Sequence, residues 1–140
     1  MSKLTLQAAT EDDLDTLAQL NKQLIEDEKH DNPMNVSELK VRMASFLNTE
    51  YVAYLFMEDG EVRGYTLVNR GRRPYYLRQF FICRDVRRLG YGKLAFDALM
   101  DAIGDQELDV EVMVWNEQGY RFWKAMGFEE RSVYLRRGGR

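Results

Sequence analysis

Arg87-Arg88-Leu89-Gly90-Tyr91-Gly92 follows an aromatic and β-branched run, Tyr75 to Cys83, and precedes Leu94, Ala95, Ala98, Leu99, Ala102 and Ile103 at helical spacing. The order is therefore a central strand, a glycine-bearing loop and a helix beginning near Gly90. Such a loop is suited to an anion. Its glycines let the backbone turn tightly and bring several N–H groups together, and the helix start adds free donors and the positive end of its dipole. Charge points the same way. Between Arg70 and Lys93 lie seven arginines and one lysine against the single Asp85, while residues 1–60 hold five Lys/Arg and twelve Asp/Glu. Arg84, Arg87, Arg88 and Lys93 surround the loop with positive charge. A dinucleotide fingerprint is disfavoured because the third glycine is missing, and a nucleotide triphosphatase because no Gly-Lys-Ser/Thr ending follows.

Working outward, Lys3 to Ala8 alternates as a first strand, and Thr10 with Asp13 forms a variant capping box. Leu14, Leu17, Leu20, Leu24 and Ile25 then space a helix running to about Glu28, and Asp31-Asn32-Pro33 breaks the chain. A second helix is predicted from Ser37 to Phe46. Tyr51 to Glu58 and Val62 to Asn69 flank Asp59-Gly60, a hairpin signal. Beyond the central helix, Leu108 to Trp115 alternates as a strand, Glu117 to Met126 is a short helix ended by Gly127, and Phe128 to Leu135 reads as a last strand. The order β-α-α-β-β-β-α-β-α-β implies an α/β domain on a mixed sheet.

The 140 residues suit one domain, 1–140, and 45% hydrophobic with 31% charged residues places it among globular chains. The start of the chain has no apolar signal core, so a cytoplasmic protein is expected. The single Cys83 and the single His30 exclude an internal disulfide and leave too few ligands for a structural metal; no metal site is expected. A net charge of −3 disfavours general nucleic-acid binding.

Arg87 to Gly92 matches Gln/Arg-x-x-Gly-x-Gly/Ala at every fixed position. Asn116-Glu117-Gln118-Gly119-Tyr120-Arg121-Phe122-Trp123-Lys124-Ala125-Met126-Gly127-Phe128 follows a second pattern at the correct distance. With these two linked motifs the chain resembles the GCN5-related N-acetyltransferases (GNAT), sharpest from Tyr76 to Phe128. That resemblance implies the acyl-CoA N-acyltransferase fold, with about six to seven strands and about four helices. It implies acetyl-CoA as cosubstrate and a small-molecule primary amine as acceptor, attacking directly in a ternary complex. The pyrophosphate would lie on Arg87, Arg88, Leu89, Gly90, Tyr91, Gly92 and Lys93. The pantetheine arm would pair with the strand edge at Phe80, Phe81 and Ile82, which requires the fourth and fifth strands to splay. Asn116 would orient the cofactor or cap the following helix. Relatives are often dimers, so a homodimer is entertained; no membrane partner is expected.

Deprotonation of the amine needs a base, and the resemblance makes Glu111 the leading candidate, because in some N-terminal protein acetyltransferases of the family a glutamate five before the equivalent asparagine serves as base; an exposed strand carboxylate paired with arginine is the equal alternative. Trp123 stands where many relatives carry the tyrosine that assists the leaving thiolate. An indole N–H donates a hydrogen bond but is too weak an acid to give up its proton. Tyr120 is a weaker substitute, more in keeping with packing. Glu26-Asp27-Glu28 and Asp31 would suit a cationic acceptor, whereas Arg70, Arg72, Arg73 and Arg78 would favour one bearing a carboxylate. Two other readings stand beside small-molecule acetylation: a non-catalytic acetyl-CoA sensor, and acetylation of a protein or aminoacyl-tRNA amine.

Overall fold

The computed structural model describes residues 3–104 and 106–139. Thr5–Ala8 (β1) opens the sheet, and the capping box forms as expected: the Thr10 side chain accepts from the Asp12 N–H, and the Asp13 carboxylate accepts from the Thr10 N–H at 2.9 Å. Leu14–Asp27 (α1) follows, then Val36–Leu47 (α2). The second helix starts one residue earlier than predicted because Asn35 and Glu38 make a reciprocal capping box. Tyr51–Glu58 (β2) and Glu61–Asn69 (β3) form the hairpin, with Asp59 and Gly60 both at positive φ, as a twist-compatible two-residue turn demands. Tyr75–Ile82 (β4), Tyr91–Ile103 (α3), Leu108–Val110 (β5) and Glu117–Ala125 (α4) complete the elements.

The sheet order is β1-β2-β3-β4-β5, antiparallel throughout except for the parallel β4–β5 pair. One face packs on α1 and α2 through Leu17, Leu24 and Met43 against Ala53, Leu55, Tyr65 and Phe81. The other packs on α3 and α4 through Phe96, Leu99, Ile103 and Trp123 against Tyr54, Val68, Tyr75 and Leu77. Two layers of helix on a mostly apolar sheet bury both faces of its central strands.

One irregularity positions everything that follows. Leu67 pairs with Gln79 and the next residue, Val68, with Leu77, so Arg78 is an extra residue in β4. A bulge exchanges the faces of a strand. Tyr75 and Leu77 accordingly join the α3 side, whereas Phe81 joins the α1 side.

Five strands form among the described residues, fewer than the six to seven expected. Leu108 to Trp115 shrinks to Leu108–Val110, because a turn follows, with the Asn116 N–H on the Met113 carbonyl. Phe128 to Leu135 is not a strand. Val133, Tyr134 and Leu135 are exposed, and alternation makes a strand only where a neighbouring edge offers hydrogen bonds. The fold class is unaffected by the shorter edge.

Candidate active site

The loop from β4 to α3 has the geometry of an anion cradle. Arg88 has φ 66° and Gly90 φ 82°, so left-handed residues flank Leu89, a backbone alternation of the kind that can gather successive N–H groups around an anion. Gly90 is the N-cap of α3, and the first N–H groups of that helix, from Tyr91, Gly92 and Lys93, have no intrahelical acceptor. At Gly92 the demand is space: a Cβ there would lie 2.9 Å from the Phe122 ring. The Tyr91 hydroxyl points elsewhere, donating to the buried Glu58 carboxylate, which also takes the Arg63 Nε at 2.9 Å. That anchor holds the start of α3 against the end of β2.

The positive charge is less mobile than composition suggests. Arg84 and Arg87 both bind Asp27 at the end of α1, at 2.7 and 2.6 Å, and the Arg87 Nε donates to the Ile82 carbonyl. Lys93 pairs with Asp97. Arg70 donates to the Tyr54 hydroxyl, Arg72 pairs with Asp109, and Arg73 stacks on Tyr75. Arg88 keeps its charge unpaired among the described residues. Backbone amides rather than arginine side chains are thus the main feature of the cradle.

Asp27 clamps the loop to α1, a contact sequence reasoning did not find because its partners lie nearly sixty residues apart. Burial alone would raise its carboxyl pKa, but hydrogen bonds and charge from Arg84 and Arg87 win and hold it below the ordinary range. A depressed carboxylate stabilises the fold above its unfolded pKa and loses that contribution as pH falls through the folded value. Asp27→Asn should therefore cost about 1–2 kcal/mol at neutral pH, reduced from a fully buried pair by solvent around Arg84. Thermal unfolding across pH checks this: the gap between variant and wild type should close in acid.

β4 and β5 pair only from Tyr75–Leu108 to Leu77–Val110. At the Arg78 bulge β5 departs, so the β5-side edge of residues 78–82 has no strand partner among the described residues. Of the residues expected on this edge, Ile82 contacts the α3 layer and Phe81 the α1 layer. Phe80 lies against Phe56, Phe122 and Trp123, with ring centroids at 5.4, 5.7 and 5.3 Å.

Glu111 is exposed just past β5 and accepts the Tyr76 hydroxyl at 3.2 Å. Burial first, then the Glu111 charge, pushes the Tyr76 phenol up to about 12. Asn116 caps α4 by accepting the Gly119 N–H at 3.0 Å. Tyr120 donates to Glu130, and this bond leads the causes that raise its pKa. Trp123 is 9% exposed and stands among Phe80, Phe96, Phe122 and Phe128. Cys83 is half-buried, its thiol pKa pushed up by burial and then by Asp85, and His30 is bonded in its own loop to the Asn32 N–H.

A cleft of about 380 Å³ opens between the end of α1 and the segment before α4, lined by Asp27, Glu28, Lys29, Trp115 and Asn116. The Trp115 indole donates to the Glu28 carbonyl at 2.8 Å and closes one side. The Glu28 carboxyl has no ion pair among the described residues, and burial, then Asp27, raises its pKa. Its place among charged neighbours in sequence hides that partial burial.

The family model of the GNAT acetyltransferases matches residues 15–128. The chain belongs to that family. Solved structures share the fold of this GNAT protein along nearly its whole length. A possible acetyltransferase from Clostridium difficile 630 is 15% identical at a TM-score of 0.78, covering 98% of this chain and 97% of its own. The aminoglycoside acetyltransferase AAC(6')-Iy, complexed with a bisubstrate analogue of CoA and acetylneamine, is 19% identical at 0.72, covering 99% and 100%. An acetyltransferase from Thermus thermophilus is 19% identical at 0.75, covering 92% and 90%. No curated protein sequence matches the chain. Among the described residues no helix is long and apolar enough to cross a membrane, and no cluster could hold a metal ion.

Proposed function

We propose that this GNAT protein transfers an acetyl group from acetyl-CoA to the primary amine of a small molecule. One observation carries the reading: the amide cradle of Arg87 to Lys93 opens beside an unpaired β4 edge, at the point where β5 leaves. The cradle suits a pyrophosphate and the edge suits an amide-bearing arm that pairs with it like a strand. The amine nitrogen attacks the thioester carbonyl carbon, the oxyanion takes a hydrogen bond from a β4 N–H, and the C–S bond breaks to release the thiolate of CoA. The proton lost from nitrogen passes to a base and finally to that thiolate.

Glu111 and Glu28 are the two carboxylates placed for the base. Glu111 touches Tyr76 beside the splay; Glu28 is half-buried, and burial followed by the Asp27 charge raises its pKa, which makes it a stronger proton acceptor than an exposed carboxylate. Glu111→Gln should lower turnover chiefly at low pH, where the amine needs help losing its proton, and leave acetyl-CoA affinity intact. An unchanged pH–rate profile would move the role to Glu28. Tyr120, held by Glu130, is a poor proton donor to a thiolate, and a thiolate near ~8.5 leaves without one. Release of CoA over a panel of amines tests the reading; binding of acetyl-CoA with no release over that panel would favour the sensor instead. The nucleic-acid reading loses support because Arg70, Arg72, Arg84 and Arg87 are engaged within the chain. A cytoplasmic setting and a homodimer remain part of the proposal, the latter to be checked by sedimentation.

A further inference from the structure

Two guanidinium groups share one aromatic ring on the α1–α2 face of the splay. Arg42 of α2 lies 5.4 Å from the centroid of Phe46, and Arg78 of the β4 bulge lies 4.9 Å from the same ring. The Tyr51 ring packs tilted against Phe46, with centroids 4.9 Å apart, and its hydroxyl accepts from Arg78 at 3.4 Å. Neither arginine forms an ion pair among the described residues, unlike Arg63, Arg72, Arg84 and Arg87. The Arg42 Nε is buried with no hydrogen-bond partner. A buried donor left unmatched is costly, and neighbouring like charges repel; a bound anion between the two guanidinium groups would offset that repulsion. Burial, then Arg78, pulls the Arg42 pKa down from its usual value, in line with that proximity.

Position gives the pair its meaning. The bulge that frees the β4 edge is Arg78 itself, and Tyr76, two residues before it, holds Glu111. On the other side Tyr65, fully buried, feels the charges of both Glu28 and Arg42. The two carboxylates suited to an ammonium group and the two unpaired guanidinium groups thus border one face of the splay.

We propose that Arg42 and Arg78 bind an anionic oxygen group on the acceptor, so that the amine acetylated also carries a carboxylate or a phosphate. This rests on the acetyltransferase reading above. Planar guanidinium forks match such oxyanions, and stacking on Phe46 and Tyr51 fixes their direction. A polycationic acceptor of the neamine type would meet repulsion here.

Matched acceptors test the proposal: the twenty amino acids against their amides, and O-phosphoethanolamine against ethanolamine, scored by CoA release. At least one anionic acceptor should exceed its neutral partner by about tenfold or more in kcat/KM. Which pair shows the advantage identifies carboxylate or phosphate. Arg42→Gln and Arg78→Gln should erase the preference for the anionic member of each pair, through the KM of the anionic acceptor; Arg42→Lys, which keeps charge without the fork, should lie between. Equal or faster turnover of neutral amines, indifferent to both variants, overturns the subsite and leaves the acetyltransferase standing. Should no amine be turned over, N-acetylalanine and O-phosphoethanolamine are titrated calorimetrically into the CoA-saturated protein. Binding lost in both variants then upholds the subsite against a failed enzymatic reading, and no binding overturns it.

Discussion

Gly92→Asp should abolish measurable acetyl-CoA binding while the protein stays folded. Three effects act together at this position. A Cβ would lie 2.9 Å from the Phe122 ring, so α3 and α4 must part or the ring must turn. The new carboxylate stands in the first turn of α3, where the proposed pyrophosphate would sit, and repels it. It also competes for the free N–H groups that make the cradle. A loss of 100-fold or more, about 2.7 kcal/mol, is expected in a calorimetric titration. Gly90→Ala separates the causes. Its φ of 82° disfavours a side chain, yet nothing lies within 4 Å of a Cβ there. Strain of about 1–2 kcal/mol without added charge should weaken binding less than the aspartate does. Wild-type affinity in folded Gly92→Asp would remove the phosphate cradle from this loop.

Trp123 divides into a packing question and a chemical one. Its indole fills the junction of four phenylalanine rings at centroid distances of 4.8 to 5.8 Å, so Trp123→Ala leaves a cavity between α4, α3 and the sheet. A cost of about 3–5 kcal/mol is expected, lowering the unfolding midpoint by roughly 10–15 °C in a domain of this size. Trp123→Phe keeps most of that contact and removes the N–H. A near-normal rate of CoA release would show that the proposed reaction needs no donor there; a collapse in rate with the melting point nearly kept would give the indole a direct part.

The regular elements were legible because each rests on local pattern. Asp59-Gly60 encodes a turn whatever surrounds it, and the leucine spacing of α1 survives any arrangement of its neighbours. The glycine loop and the start of α3 were legible for the same reason, since Gly90 and the first turn of α3 are adjacent in sequence. The last strand was not. Phe128 to Leu135 alternates, but a strand is a property of two edges, and among the described residues none accepts it.

By itself the sequence determined a mixed α/β domain of the GNAT type, with an amide loop between β4 and α3. It also settled where that loop lies and that no disulfide braces the fold. The tertiary structure alone decided which charges are free. Asp27 reaches Arg84 and Arg87 across nearly sixty residues, Glu28 is drawn into a cleft by the segment at Trp115, and one extra residue in β4 sends Arg78 to the ring that already holds Arg42. Composition counts guanidinium groups; whether each is neutralised depends on distances of a few ångström between residues remote in the chain.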